Sequence, residues 1–443
     1  MKYIRPLYFS NLFWGILMGL SAVFLGAQAA PFLFGIAKLM TAIFAFLVLL
    51  DLFLLFRTKE GIFVKRDVSD RLSNGDENPV TIYLENRYPF KTRWEIVDEI
   101  PFQFQRRDVL FKAELSPNET QLLRYELRPT KRGEYSFGAV NAFIKTPLGL
   151  VKRRYQSSQN KTVAVYPSYL QMRQYELMAI SNRLTELGIK RIRRLGHSME
   201  FEQIRPYVKG DDVRTVNWKA TARRNELMVN AFQDERSQAV YCLIDKGRVM
   251  KSPFEEMTLL DYAINATLVL SNIALIKQDK AGLITFSEVI GQILPAERKA
   301  GQMQKILEVL YKQKTRYLES DYETLYAHVK KHIRQRSLLL LFTNFETLSA
   351  MRRQLPFLRQ LAKTHLLIVV FFENTETASL LKSPADNTED IYLKTIAERF
   401  YYEKRRIVKE LELYGIQAIL TVPKDLNANT VNKYLELKAK GMM

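Results

Sequence analysis

AVYCLIDKGRV, residues 239 to 249, begins as a near-continuous apolar run and stops at an acid followed by two bases. An uninterrupted apolar run of this length reads as a strand covered on both faces, which is the habit of parallel sheets flanked by helices. The pattern returns at Ala281 to Phe286, Ser337 to Phe342, His365 to Phe372 and Ile416 to Val422. Between these runs, helical periodicity covers about 254–277, 299–312, 322–334, 346–363 and 389–413, with a last helix near 425–439. Strands alternating with amphipathic helices predict a mostly parallel α/β domain over residues 237–443. Ligands of such sheets sit at the carboxyl ends of the strands, so Asp245, Phe286-Ser287-Glu288 and Thr343-Asn344 are the positions to inspect. Cys242, the single cysteine, lies inside the first run as a small buried hydrophobe and excludes an internal disulfide or a multi-cysteine zinc site.

The chain of 443 residues is too long for one core. At the N-terminus, Leu7 to Gln28 is uncharged and largely apolar, and Phe32 to Phe56 is a second apolar run broken only by Lys38 and Asp51. Each is long enough to cross a bilayer as a helix, with Lys38 and Asp51 expected to snorkel toward opposite interfaces. Lys2 and Arg5 precede the first run, and Arg57, Lys59, Lys65 and Arg66 follow the second, so both ends are expected in the cytoplasm. Lys2, Arg5 and Ala27-Gln28-Ala29 also have the layout of a signal peptide with its cleavage site. Cleavage would leave one span and the same cytoplasmic location. From Ile62 to Tyr166 short alternating segments separated by turn clusters predict a β-sandwich, with glycine at positive φ in Arg132-Gly133-Glu134-Tyr135 and Pro147-Leu148-Gly149-Leu150.

Between these regions lies a basic connector, with eleven bases against five acids from Arg183 to Arg224. Its centre is YVKGDDVRTVNWKATARR, residues 207–224. Asp211 and Asp212 are adjacent, point opposite ways in extended backbone, and so do not form a shared-proton dyad. Gly210 marks a turn, and one of the two acids is expected to cap a helix running from Val213 to Arg224. Arg205 and Arg214 are expected to clamp Asp211, Asp212 or Glu200, with Trp218 anchored on apolar surface. Tyr207, Trp218 and the arginines, Arg223 among them, are also the residue types that dominate binding hot spots. The chain contains no G-x-x-x-x-G-K-[ST] and no H-E-x-x-H motif. His328 and His332 share a helical face with lysines between them and read as a solvated helix rather than a metal pair. No catalytic residue, cofactor or metal is expected, and the chain reads as a non-enzyme.

Gly196-His197-Ser198-Met199-Glu200-Phe201, Arg205-Pro206-Tyr207, Gly210-Asp211-Asp212-Val213-Arg214, Asn217-Trp218-Lys219 and Ala222-Arg223 follow one another in an order and spacing that resemble the bacterial domain-of-unknown-function family fifty-eight. The resemblance extends to the two upstream corners and the α/β half. It implies a membrane-anchored multi-domain protein: a transmembrane helical hairpin over 1–58, a β-sandwich over 59–168, the basic connector with its signature over 169–236, and a von Willebrand A-like (Rossmann-type) α/β domain over 237–443. It also implies a bacterial inner-membrane location, soluble domains facing the cytoplasm, and work as an adaptor or scaffold with a MoxR-type AAA+ ATPase. Domains of that α/β type bind a divalent ion through an Asp-x-Ser-x-Ser loop, a threonine and a later aspartate. Here Asp245 is followed by Gly247 and Val249 at the serine positions, with Asn344 for the later aspartate, so the loop is degenerate and no metal is expected. A rim contact would then run through Lys246 or Arg248 to a partner's acid. The formal charge of +19 also fits the alternative of nucleic-acid or anionic-lipid binding.

Overall fold

The structure is a computed structural model and describes residues 6–28, 32–106, 109–157, 160–180, 199–208, 211, 213–234, 237–254, 256–373, 380–381, 384 and 387–442. Contacts divide the chain into two units, Met1–Tyr166 and Pro167–Met443. The first runs β1 (Leu7–Phe9), α1 (Asn11–Gly26), α2 (Leu33–Arg57), β2 (Ile62–Val68), β3 (Arg71–Ser73), β4 (Asn78–Asn86), β5 (Thr92–Asp98), β6 (Leu110–Leu115), β7 (Thr120–Leu127), β8 (Gly133–Phe137), β9 (Val140–Lys145), β10 (Val151–Ser157) and β11 (Lys161–Tyr166). The strands form sheets in the orders β1-β10-β9-β5-β6, β3-β11-β8 and β2-β4-β7. Alternation puts Val80, Ile82 and Leu84 of β4 and Trp94 and Ile96 of β5 into one core.

The first apolar run is not one long helix. Leu7 to Phe9 leave it to pair antiparallel with Arg153 to Val151, and Ser10 caps the helix by accepting from Phe13 N at 3.2 Å. α1 is therefore 16 residues, about 24 Å long. It lies antiparallel to α2, with Phe13 on Phe44 and Phe24 on Phe34 at ring separations of 5.3 and 5.9 Å. Lys38 lies over the Phe34 ring at 4.6 Å.

Asp51 corrects the expectation of a snorkelling side chain, because it is fully buried. Its Oδ2 accepts from the backbone N–H groups of Leu150 and Val151 at 2.9 and 2.8 Å, and Oδ1 accepts from the Thr146 hydroxyl. These donors belong to the Pro147-Leu148-Gly149-Leu150 corner, where Gly149 takes φ +69°. One turn on, Arg153 donates to the carbonyls of Leu55 and Thr58, and the Tyr88 hydroxyl also donates to Leu55 O at 2.7 Å. A cation on orphan carbonyls is the favourable arrangement at a helix C-terminus. The second apolar helix thus ends bolted to the sheets by an acid above and a guanidinium below.

The second unit runs α3 (Tyr169–Ile180), β12 (Met199–Pro206), α4 (Trp218–Arg224), β13 (Met228–Asp234), β14 (Ala239–Asp245), the short ribbon β15 (Pro253–Phe254) and β16 (Met257–Thr258), α5 (Leu259–Ile276), β17 (Lys280–Phe286), β18 (Ile290–Glu297), α6 (Gln302–Tyr311), α7 (Tyr322–His332), β19 (Leu338–Phe342), α8 (Leu348–Thr364), β20 (Leu366–Phe372), α9 (Thr388–Leu413), β21 (Gln417–Thr421) and α10 (Leu426–Ala439). Its main sheet has the order β18-β17-β14-β19-β20-β21. Five strands are parallel and β18 is antiparallel to β17. Val240, Cys242 and Ile244 of β14 enter the core on one face, while Leu243 enters the core on the other. Covered on both faces, the strands have no need of a polar side, which is why they read as continuous apolar runs. α5 is long and apolar enough to cross a membrane, yet it is mostly buried as the central helix of one of these cores. Burial also pushes the Cys242 thiol up to about 12, leaving it an unreactive core residue.

Candidate functional site

Two places gather the residues singled out above. In the signature, β12 and β13 pair antiparallel, and Val216 bridges Val229. Arg205 donates to both oxygens of Asp211 at 2.9 and 2.7 Å, and Val208 N donates to the same carboxylate at 2.9 Å. The Arg205 guanidinium holds the Asp211 carboxyl below its ordinary range, with the Val208 N–H helping.

That engagement leaves Asp211 no part in helix capping. Val213 to Thr215 form a single 3-10 turn, because the bridge from Val216 to Val229 draws the chain out of helix. The helix starts only at Trp218, capped by Asn217, whose Oδ1 accepts from Ala220 N at 3.0 Å while its Nδ2 donates to Asn230 at 2.8 Å. Trp218 is not an apolar anchor: it is 69% exposed, beside exposed Lys219, Arg223 and Arg224. Tyr207 is half-buried, its N–H bonded to Leu227 O. Gly210 and Asp212 lie outside the described residues, as do the side chains of Glu200 and Arg214.

The second place is the carboxyl edge of the main sheet. Asp245 ends β14 fully buried. Oδ1 accepts from the Ser320 hydroxyl and, at 2.7 Å, from Gly247 N. Oδ2 accepts from the Thr343 hydroxyl at 2.7 Å and from the Tyr322 hydroxyl at 3.4 Å. Burial pushes the Asp245 carboxyl up, and these donors pull it back. Gly247 is required by close approach, because a Cβ there would stand 2.3 Å from Ser320 Oγ. Ser320 thus brings a hydroxyl to Asp245 across the space above Gly247. Val249 packs against the core instead of facing the loop.

At Asn344, Oδ1 accepts from Lys404 Nζ at 2.6 Å. With both Asp245 oxygens taking four donors and the Asn344 oxygen turned to an ammonium, the atoms that would face a divalent ion are engaged, and the set does not fit one. Among the described residues no group of three or more His, Cys, Asp or Glu side chains could hold a metal. Ser320, Tyr322 and Lys404 escape local sequence reading. Lys404 alone had a signal, since it lies on the helical face of Ala397, Ile407 and Leu411, all buried.

Burial holds the Lys404 ammonium down at about 8. The unfolded chain keeps this proton to about pH 10.4, so between the two values it binds more protons than the folded one. Stability should therefore rise with pH from 8 to 10, by up to about 2 kcal/mol relative to a Lys404→Met variant. Denaturant midpoints of both proteins at pH 7, 8, 9 and 10 check this, and parallel curves would refute it.

With this geometry in place, comparison with known proteins is informative for one region. The model of the family described as "Protein of unknown function DUF58" matches residues 203–383. That span takes in the signature from Arg205 onward and much of the main sheet, less than the whole chain. The uncharacterised protein YeaD of Bacillus subtilis (strain 168) is 28% identical over 202 residues, 44% of this chain and 49% of the relative, so the match spans about half of that protein. Among solved structures, the CARDB domain of the PF1109 protein from Pyrococcus furiosus covers 24% of this chain and 86% of its own at 16% identity and TM-score 0.17. A PapD-like domain of human CEP192 covers 24% and 83% at 11% identity and TM-score 0.17. Proximal thread matrix protein 1 from the mussel byssus covers 46% and 48% at 12% identity and TM-score 0.27. Likenesses this slight carry no argument about the fold.

Proposed function

The chain belongs, through residues 203–383, to the DUF58 family, and from that premise we propose that it is a non-enzymatic, membrane-anchored adaptor. In this reading α1 and α2 hold it at a bacterial inner membrane. Its α/β unit, read as a von Willebrand A-like domain from the parallel sheet with one antiparallel edge, is presented on the cytoplasmic side to a protein partner, a MoxR-type AAA+ ATPase. The anchor reading is supported by α2, which has a mean hydropathy of 2.7 over its best window and leaves Leu39, Ile43, Phe46, Leu49 and Phe53 exposed. Such a face is stable against lipid and costly against water.

The single observation that carries the docking surface is Trp218. A large aromatic is held exposed at the first turn of a capped helix that also exposes Lys219, Arg223 and Arg224. Tryptophan and arginine on a preorganised support are what binding hot spots are made of.

Affinity purification of the tagged full chain from membranes tests this. Trp218→Ala is expected to lower recovery of the ATPase by about tenfold or more while the chain stays folded, the scale of a lost hot spot. Undiminished recovery removes the signature from the interface. The same exposed bases support the alternative of an anionic lipid or nucleic-acid surface. Capture that fades steeply with salt, and needs no ATPase, would select it.

A further inference from the structure

Successive residues of an extended chain face opposite ways, so the end of β14 sends Asp245 to one side and Lys246 to the other. Asp245 turns to Ser320, Tyr322 and Thr343 and is saturated there. Lys246 turns toward the β17–β18 side, with its backbone fixed by bonds from its own N–H to Phe286 O and from Arg316 N–H to its carbonyl. The residue as a whole is 8% exposed, so its aliphatic stem is enclosed. Its head reaches exposed Gly291, where a Cβ would stand 2.7 Å from Nζ and 2.6 Å from Thr285 Oγ1. Glycine at that position leaves room for the ammonium itself at the edge of β18.

No acid among the described residues is ion-paired with that ammonium, although the Glu288 carboxylate acts on it through space. Glu288 is bonded to Arg316, and Glu319 lies 3.7 Å from Arg248. Among the described residues Lys246 has no ion pair. Burial, and then the Arg316 charge, depress the Lys246 ammonium, with the Glu288 charge opposing. A cation on an enclosed stem gains more from an arriving anion than one in open water.

We propose that Lys246 is the receptor for a carboxylate side chain from an acidic segment of the protein partner, holding at this sheet edge the place that a bridging divalent ion holds in a metal-dependent contact. It rests on the adaptor reading and adds the chemistry of the partner's contact. The carboxylate enters over Gly291, accepts from Lys246 Nζ, and has Arg316 as a neighbouring cation. The aspartate next door remains engaged by its own hydroxyls throughout, so binding is independent of magnesium or calcium.

The test uses the full chain in nanodiscs and a fluorescent peptide of alternating aspartate and glutamate, with its Asn/Gln counterpart as control. Binding of the acidic peptide is expected to weaken about tenfold or more in Lys246→Met and to stay within about threefold in Lys246→Arg. It should also weaken in Gly291→Ala, which keeps every charge, and be unchanged by EDTA. Zero-length carbodiimide coupling should join the peptide's carboxylate to Lys246. Equal binding by Lys246→Met and the parent, no binding by either, or a requirement for magnesium each overturns the proposal. Partner recovery separates the two ideas. ATPase capture that survives Lys246→Met but not Trp218→Ala sinks the carboxylate site and keeps the adaptor. Lys246-dependent peptide binding without any ATPase recovered does the reverse.

Discussion

Asp51→Ala is expected to destabilise the N-terminal unit by about 3–5 kcal/mol, from two buried N–H donors left without an acceptor at about 1–3 kcal/mol each and a stranded Thr146 hydroxyl. Asp51 itself is fully enclosed, so water cannot substitute for its carboxylate. Asp51→Asn keeps one acceptor and loses the charge-assisted character, so it should cost about half as much. Trp94 is 1% exposed and lies in the core of this unit, while Trp14 and Trp218 are exposed. With those two replaced by phenylalanine, Trp94 fluorescence during urea unfolding in detergent micelles reports this unit. A loss below about 1 kcal/mol would show that α2 is held to the sheets by apolar contact and that the acid is incidental.

The Asp51 case shows what was legible and what was not. An acid inside an apolar run is plain in the sequence, and so is the Pro147-Leu148-Gly149-Leu150 corner. Nothing local joins them, because the bond spans about a hundred residues. The five parallel strands were legible because burial on both faces removes polar residues altogether. β18 was missed for the opposite reason: Ile290–Glu297 is an antiparallel edge strand, mixed in polarity and mostly half-buried or exposed. β1 was hidden because three apolar residues of a strand look the same as three of a span.

The signature was read correctly as to the pairing of Arg205 with Asp211 and wrongly as to the helix. Helical spacing from Val213 to Arg224 is real, but Val216 forms a strand bridge, and the capping oxygen comes from Asn217 while Asp211 is engaged by Arg205. At the sheet edge, Asp245 and Asn344 were legible as residues at the carboxyl ends of apolar runs. Ser320 and Tyr322, whose hydroxyls bond Asp245, arrive from a segment some 75 residues on with no motif to mark them.

Asp98→Ala is expected to cost the same unit about 3–5 kcal/mol, the usual penalty for removing one partner of a buried ion pair. Arg66 Nη1 meets Asp98 Oδ1 at 2.5 Å with side-chain exposures of 1% and 0%. Tyr125 donates its hydroxyl to Asp98 Oδ2 at 2.5 Å. Burial, then the Asp98 charge, holds that phenol well above its ordinary range. Without the carboxylate, Arg66 keeps its bond to Gly138 O at 2.9 Å and its place over the Phe137 ring at 4.8 Å but loses its contact with Asp98. The desolvation cost of the buried guanidinium is then offset by less. Arg66→Met with Asp98→Leu removes both charges and the reason for the penalty, so the double variant should fall within about 2 kcal/mol of the parent. The parent, Arg66→Met, Asp98→Leu and the double variant, followed by Trp94 fluorescence, give a coupling energy. A value near zero, with the two single losses simply adding, would mean that solvent reaches the pair on the unfolding timescale and that the β-rich core does not depend on it.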